Sequence, residues 1–156
     1  MITIQRPGLN PLEIDFILLD FEGTLASDQR VHPKAKDKIN LLSKRTQVYI
    51  LTKGEKGLIE ERLRKVKAEI AYLAEAGASQ RKLDLLRQLG ATRCVAIGNG
   101  VEDVPMIQEA GFGICIISRE GASVEAMENA DLVFIDILDA LDFLLKPLRQ
   151  KATLGK

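Results

Sequence analysis

The chain holds one histidine, His32, and two cysteines, Cys94 and Cys115. A zinc site or a histidine-based triad therefore has almost nothing to draw on. Each cysteine stands inside an apolar run, where it reads as a small buried hydrophobe and not as half of a disulfide or a metal pair. Net charge is also lacking: 22 basic side chains balance 22 acidic ones, which removes any general attraction to nucleic acid or an anionic membrane. No apolar run approaches the roughly 20 residues that span a bilayer, and Met1 to Asn10 lacks the charged and apolar regions of a signal peptide. The expectation is a cytoplasmic protein with no nucleic-acid and no membrane partner. Repeats, low-complexity segments and linkers are missing too, and 156 residues fit one domain with a real core. That core spans about residues 13–146, followed by a tail, 147–156.

What the chain does contain is a series of short apolar runs that end in polar clusters. Phe16 to Leu19 has the character of a strand buried on both faces, and it runs into Asp20-Phe21-Glu22-Gly23-Thr24. Gln47 to Leu51 ends in Thr52-Lys53-Gly54, and Cys94 to Ile97 ends in Gly98-Asn99-Gly100-Val101-Glu102-Asp103. Further strands are expected around Glu69 to Leu73, Ile114 to Ile117 and Leu132 to Ile135. Between them the spacing predicts helices from Pro33 to about Arg45, from Glu55 to about Lys67, from an N-cap at Ser79 to Gly90, around Met106 and Ile107, from Gly121 to about Asn129, and from Asp136 to Lys146. Pro147 stops the last of these, and Leu148 to Lys156 reads as a solvated terminus. At the front, Ile2 and Ile4 alternate with polar residues before turn signals at Pro7-Gly8 and Asn10-Pro11, which predicts an antiparallel edge strand or hairpin.

Strands alternating with helices imply parallel pairing through right-handed crossovers, hence a three-layer α/β domain with a mainly parallel sheet. In such a sheet Asp20, Glu22, Thr52, Asn99 and Asp103 share one edge, because each follows the carboxyl end of its strand, where ligands bind in open α/β sheets. Lys82, near the start of a helix, can reach the same edge. Taken singly, Asp, Gly and Thr are ordinary turn residues; their clustering makes them a candidate site. Its chemistry is that of phosphoryl transfer. A carboxylate attacks phosphorus to form an acyl phosphate, hard oxygen ligands hold Mg²⁺, and a lysine and a threonine bind the transferring oxygens. A second carboxylate two positions after the nucleophile projects to the same side of an extended chain, where it can protonate the leaving group and then activate water. Asp20 and Glu22 have that spacing.

These motifs resemble the haloacid dehalogenase (HAD) superfamily of phosphohydrolases and, within it, small soluble proteins similar to the phosphorylation domain of P-type ATPases. Asp20-Phe21-Glu22-Gly23-Thr24 resembles the motif DxDGT (DKTGT in the pumps), Thr52 the second motif and Lys82 the third. Ile97 to Met106 is similar to the fourth, GDGxNDxxx. The likeness runs from Asp15 to Leu145. It implies a Rossmann-like HAD fold, with Asp20 as nucleophile and magnesium ligand and the backbone carbonyl of Glu22 also on the metal. Thr52 and the backbone after Glu22, with Gly23 and Thr24, hold the phosphoryl oxygens; Lys82 neutralises the phosphoaspartate; Asn99 and Asp103 complete the metal site.

Two departures stand out. Glu22 replaces the usual Asp and adds one methylene, and Asn99 replaces a charged ligand with a neutral amide oxygen, which weakens magnesium binding without abolishing coordination. The interval between Thr24 and Thr52 leaves no room for a pump's nucleotide-binding domain, and the other intervals exclude a substantial cap. Either the site is open to a large or extended substrate, or a neighbouring subunit in a homo-oligomer covers it. The leading expectation is a magnesium-dependent phosphatase of unidentified substrate. The alternatives are a phosphate- or partner-binding regulatory module of slow or lost turnover, and a response-regulator receiver, disfavoured because a receiver carries its phosphoacceptor on the third strand.

Overall fold

The computed structural model describes residues 1–155. In chain order its elements are β1 (Ile2–Ile4), β2 (Leu12–Ile14), β3 (Phe16–Asp20), β4 (Ala26–Ser27), β5 (Arg30–Val31), α1 (Pro33–Leu42), β6 (Gln47–Thr52), α2 (Lys56–Arg62), β7 (Glu69–Tyr72), α3 (Ala78–Leu89), β8 (Cys94–Gly98), α4 (Val104–Glu109), β9 (Phe112–Ile116), α5 (Val124–Asn129), β10 (Leu132–Phe134), α6 (Ile137–Leu145) and α7 (Pro147–Leu154). Among them no helix is long and apolar enough to cross a membrane.

Six strands form one parallel sheet in the order β10-β9-β8-β3-β6-β7. Alternation along each strand divides the core in two. Ile17 and Leu19 of β3, Val95 and Ile97 of β8, and Ile114 and Ile116 of β9 pack on one side with residues of α1, α2 and α6. Leu18, Cys94, Ala96 and Cys115 face the other side with residues of α3, α4 and α5. Burial on both faces is why β3 reads as an unbroken apolar run. The chain leaves β3 toward β6 and β7, then crosses back to β8 on the opposite flank. The strand order thus reverses between β3 and β8, and that crevice is where open α/β sheets bind ligands.

The ends of the chain depart from expectation. β1 and β2 pair antiparallel as a separate two-stranded sheet, so the hairpin is realised and not a strand on the edge of the main sheet. The break at Asp15 has a local cause, since the Arg93 guanidinium binds both Glu13 and Asp15 at 2.7–2.8 Å. The tail is not a loose terminus. Pro147 opens α7, as proline does at a first helical position, and Gln150 is wholly buried, its amide accepting from the Gln5 N–H and donating to the Phe143 carbonyl, both at 2.8 Å.

Several helices are shorter than the pattern predicts. α1 stops at Leu42, where the Ser43 and Thr46 hydroxyls each donate to a carbonyl of its last turn, a local competition with the helix ladder. α2 ends at Arg62; Lys65 then takes a φ of 66°, and the Asn40 amide pins the turn by donating to the Lys65 carbonyl and accepting from the Lys67 N–H. α3 begins after Gly77, so Ser79 lies inside its first turn and is not the cap. Ser123 caps α5, which starts three residues later than Gly121 suggests.

α1 is held to α6 by an ion pair, Lys38 Nζ to Asp142 Oδ1, at 2.6 Å. Burial pushes the Asp142 pKa up, but the hydrogen bond from Lys38 and the charges of Lys38, Lys146 and Arg149 outweigh it, and the net shift is downward. A depressed carboxylate stabilises the fold above its unfolded value, near pH 4, and the contribution is lost as pH falls through the lower folded value. Asp142→Asn is therefore expected to cost up to about 1 kcal/mol at pH 7, and nothing once both forms are protonated. Urea unfolding at pH 7 and at pH 2 to 3 checks it.

Candidate active site

Asp20 is the last residue of β3 and only 4% exposed. The chain beyond it makes a tight loop: Ala26 donates its N–H to the Phe21 carbonyl, and Gly23 donates to the Ala26 carbonyl. Gly23 has a φ of +75°, and a Cβ there would stand 2.6 Å from Asn99 Nδ2. Both the backbone shape and the approach of Asn99 therefore require glycine. Gly23→Ala is expected to destabilise the protein by more than about 1 kcal/mol and to push Asn99 out of place, read as a lowered thermal midpoint.

Asp20, Lys82 and Asp103 form a buried chain of charge. Lys82 Nζ lies 2.9 Å from Asp20 Oδ1 and 2.7 Å from Asp103 Oδ1, and the lysine and Asp103 are 3% and 2% exposed. The far oxygen of Asp103 accepts the N–H groups of Asn99 and Gly100 at 3.0 and 3.1 Å. That fixes the turn after β8, which fits only because Gly98 has no Cβ; one would stand 2.4 Å from Asp103 Cγ. Burial, followed by the charge of Asp103, drives the Asp20 pKa well above the usual carboxylate range, with Lys82 opposing. Burial also acts against the Lys82 ammonium, but the charges of Asp20 and Asp103 outweigh it and hold its pKa above the ordinary value.

The Thr24 hydroxyl lies 3.1 Å from Asp20 Oδ2 and 3.2 Å from Asn99 Oδ1. Two hard oxygens, from the end of β3 and from the turn after β8, therefore converge on one hydroxyl, beside the two carboxylates, Asp20 and Asp103, that face the Lys82 ammonium. Oxygen donors and an excess of negative charge fit a divalent cation of the magnesium type. Both oxygens of Asp103 are engaged by Lys82 and by the turn, which suits it to act on such an ion through water. Among the described residues, no group of three or more His, Cys, Asp or Glu side chains gathers as a metal site, so the amide of Asn99 and backbone carbonyls are needed to complete one.

Glu22 points elsewhere. The Thr52 hydroxyl, at the end of β6, donates to Glu22 Oε1 and accepts from the Gly54 N–H. Two residues with separate expected roles are thus tied to each other. The longer side chain of Glu22 makes that contact possible.

Three features near the site escape the sequence pattern. The segment between Thr24 and Pro33, where the sequence pattern marks no strand, is a small antiparallel hairpin, β4–β5. Its turn residues Asp28 and Gln29 have φ of 52° and 62°, a type I′ geometry whose usual Asn-Gly signature is lacking. Lys53 bridges the mouth, pairing with Glu102 at 2.9 Å and Glu75 at 3.3 Å. Glu120 brings Oε2 to 3.2 Å from the point where a Gly23 Cβ would sit, beside Asn99. No strand or helix period marks these residues.

No family model matches the chain. One stretch of 76 residues, 46% of the chain, is 42% identical to an uncharacterized protein of Methanocaldococcus jannaschii, of which it covers 82%. Over 138 residues, 86% of the chain, it is 25% identical to a protein of the same organism described as a soluble P-type ATPase-like phosphatase. The chain spans about half of that relative, 50% of its length. Among solved structures, 3-deoxy-D-manno-octulosonate 8-phosphate phosphatase of Moraxella catarrhalis, in complex with magnesium, phosphate and KDO, superposes with a TM-score of 0.72 at 16% identity, covering 87% of this chain and 88% of that one. The cobalt-bound deoxy-D-mannose-octulosonate 8-phosphate phosphatase of Haemophilus influenzae gives 0.71 at 17%, covering 93% and 91%. At these identities the superpositions establish the fold.

Proposed function

We propose that the chain is a member of the haloacid dehalogenase superfamily and a magnesium-dependent phosphohydrolase working through a phosphorylated Asp20, a reading supported by its likeness to a soluble P-type ATPase-like phosphatase. The observation that carries this reading is the buried Asp20–Lys82–Asp103 chain at the strand-order reversal, beside the paired oxygens of Asp20 and Asn99. Asp20 attacks phosphorus in line and forms an acyl phosphate, while the leaving oxygen takes a proton from Glu22. Glu22 then accepts a proton from water, which attacks the same phosphorus and returns the Asp20 carboxylate with inorganic phosphate. Lys82 and the Thr52 hydroxyl hold the phosphoryl oxygens. Bound Mg²⁺ would supply charge neutralisation at those oxygens, held by Asp20, Asn99 and the Glu22 carbonyl, with Asp103 behind. Two buried cysteines with no disulfide between them fit work in the reducing cytoplasm.

The Thr52–Glu22 hydrogen bond sets a condition on this cycle. An arriving phosphoryl group must draw the Thr52 proton away from Glu22, which at the same time frees Glu22 for proton transfer. Shortening the side chain removes that competition, so Glu22→Asp is expected to raise kcat, by up to about 10²-fold; steady-state phosphate release measures it. The same contact is what favours the regulatory alternative, a module that binds phosphate without turning it over. Phosphate release from a panel of phosphomonoesters, with magnesium and with EDTA, decides. Magnesium-dependent release supports the hydrolase; magnesium binding without release from any compound supports the module.

A further inference from the structure

A groove of about 850 Å³ opens beside the site. Its walls come from the β4–β5 hairpin, the loops after β9 and β10, and the first turns of α1 and α6, and Thr24, which bonds Asp20 and Asn99, is part of its lining. Groove and site thus meet at Thr24, whose hydroxyl is 3.1 Å from Asp20 Oδ2. We propose that the groove holds the leaving group, that Arg30 and Arg119 bind a second anionic group on it, and hence that the substrate is a small phosphomonoester carrying a further carboxylate or phosphate. This rests on the phosphohydrolase reading above.

The electrostatics favour an anion. Arg30 and Arg119 line the groove from different elements, and neither has an ion-pair partner among the described residues. Two acids are also in the lining: Asp136 caps α6, accepting from the Leu138 N–H at 2.8 Å, and Asp28 sits exposed at the hairpin turn. The amino end of α1 adds its partial positive charge, whereas that of α6 is offset by the Asp136 carboxylate. The lining also has apolar side chains, among them Ile135, which is 79% exposed despite its size, a surface suited to the carbon skeleton between two charged ends. Ser27, also in the lining, has a buried hydroxyl with no partner among the described residues. Guanidinium groups bind carboxylate and phosphate alike through paired N–H donors, so the two anions share one chemistry.

Binding to the Asp20→Asn protein with magnesium, measured by calorimetry, tests this without turnover. The ligands are glycerol phosphate, whose leaving group is neutral, phosphoglycerate, which adds a carboxylate, and propanediol bisphosphate, which adds a phosphate. At least one of the two charged ligands is expected to bind about tenfold tighter than glycerol phosphate or better, and which one names the second group. The Arg30→Gln, Arg119→Gln double variant should erase that advantage and leave glycerol phosphate binding unchanged. Equal affinity for all three, or an advantage that survives the double substitution, overturns the proposal. A preference for a charged ligand together with no phosphate release from it by the wild type leaves the groove assignment standing and defeats the hydrolase reading instead.

Discussion

Asp20→Asn is expected to lower phosphate release by at least about 10³-fold while leaving the protein folded. The magnitude follows from what the substitution removes. A nucleophile that takes part in a covalent step has no partial substitute, and loss of such a group costs orders of magnitude more than loss of a positioning contact. No neighbour replaces it: the Thr24 and Thr52 hydroxyls are bound to carboxylates, and Asp103 is locked by Lys82 and the turn after β8. Asparagine keeps the shape and can still accept from Lys82. Since burial and the charge of Asp103 already disfavour ionised Asp20, removing its charge is not expected to lower the thermal midpoint in EDTA. A variant that is both inactive and unfolded would not count as support, so the melt is part of the measurement.

Lys82→Met is expected to damage the fold itself. Among the described residues the ammonium is the only cation between Asp20 and Asp103, and it is 3% exposed. Taking one partner from a buried ion pair costs about 3–5 kcal/mol, because the remaining charge is left uncompensated; here Asp103 loses the cation that faces it. Methionine fills most of the volume, so the loss is electrostatic and not a cavity effect. Urea unfolding at pH 7 in EDTA should show it as a lower midpoint at unchanged slope. If the midpoint does not move, the charge chain is not what holds these three elements in register.

The sequence made the site easier to read than the chain's periphery. Asp20, Thr52 and the Asn99–Asp103 turn each follow a short apolar strand, and a parallel sheet brings strand ends together whatever the detail of the helices. Lys82 reaches the same place because α3 carries it there in its second turn. Contacts that depend on side-chain direction were not readable. The hydrogen bond of Glu22 to Thr52 is set by one methylene and a rotamer. The groove is built by a hairpin whose turn, Asp28-Gln29, adopts left-handed conformations without the usual glycine. α7 depends on a single buried glutamine, Gln150, that meets partners far away in the chain. Each of these is a tertiary choice with no period to announce it.

In this mechanism Asp20 carries the phosphoryl group. The direct measurement is acid-quenched mass spectrometry of the Asp20 peptide after mixing with a turned-over phosphoester and magnesium, in the wild type and in Glu22→Gln, where water activation is removed and the intermediate should accumulate. One phosphoryl group is expected on Asp20, lost on treatment with hydroxylamine and more abundant in the variant. Phosphate release by the wild type with no modified Asp20 in either protein, or with the phosphoryl group on Thr52, would contradict it.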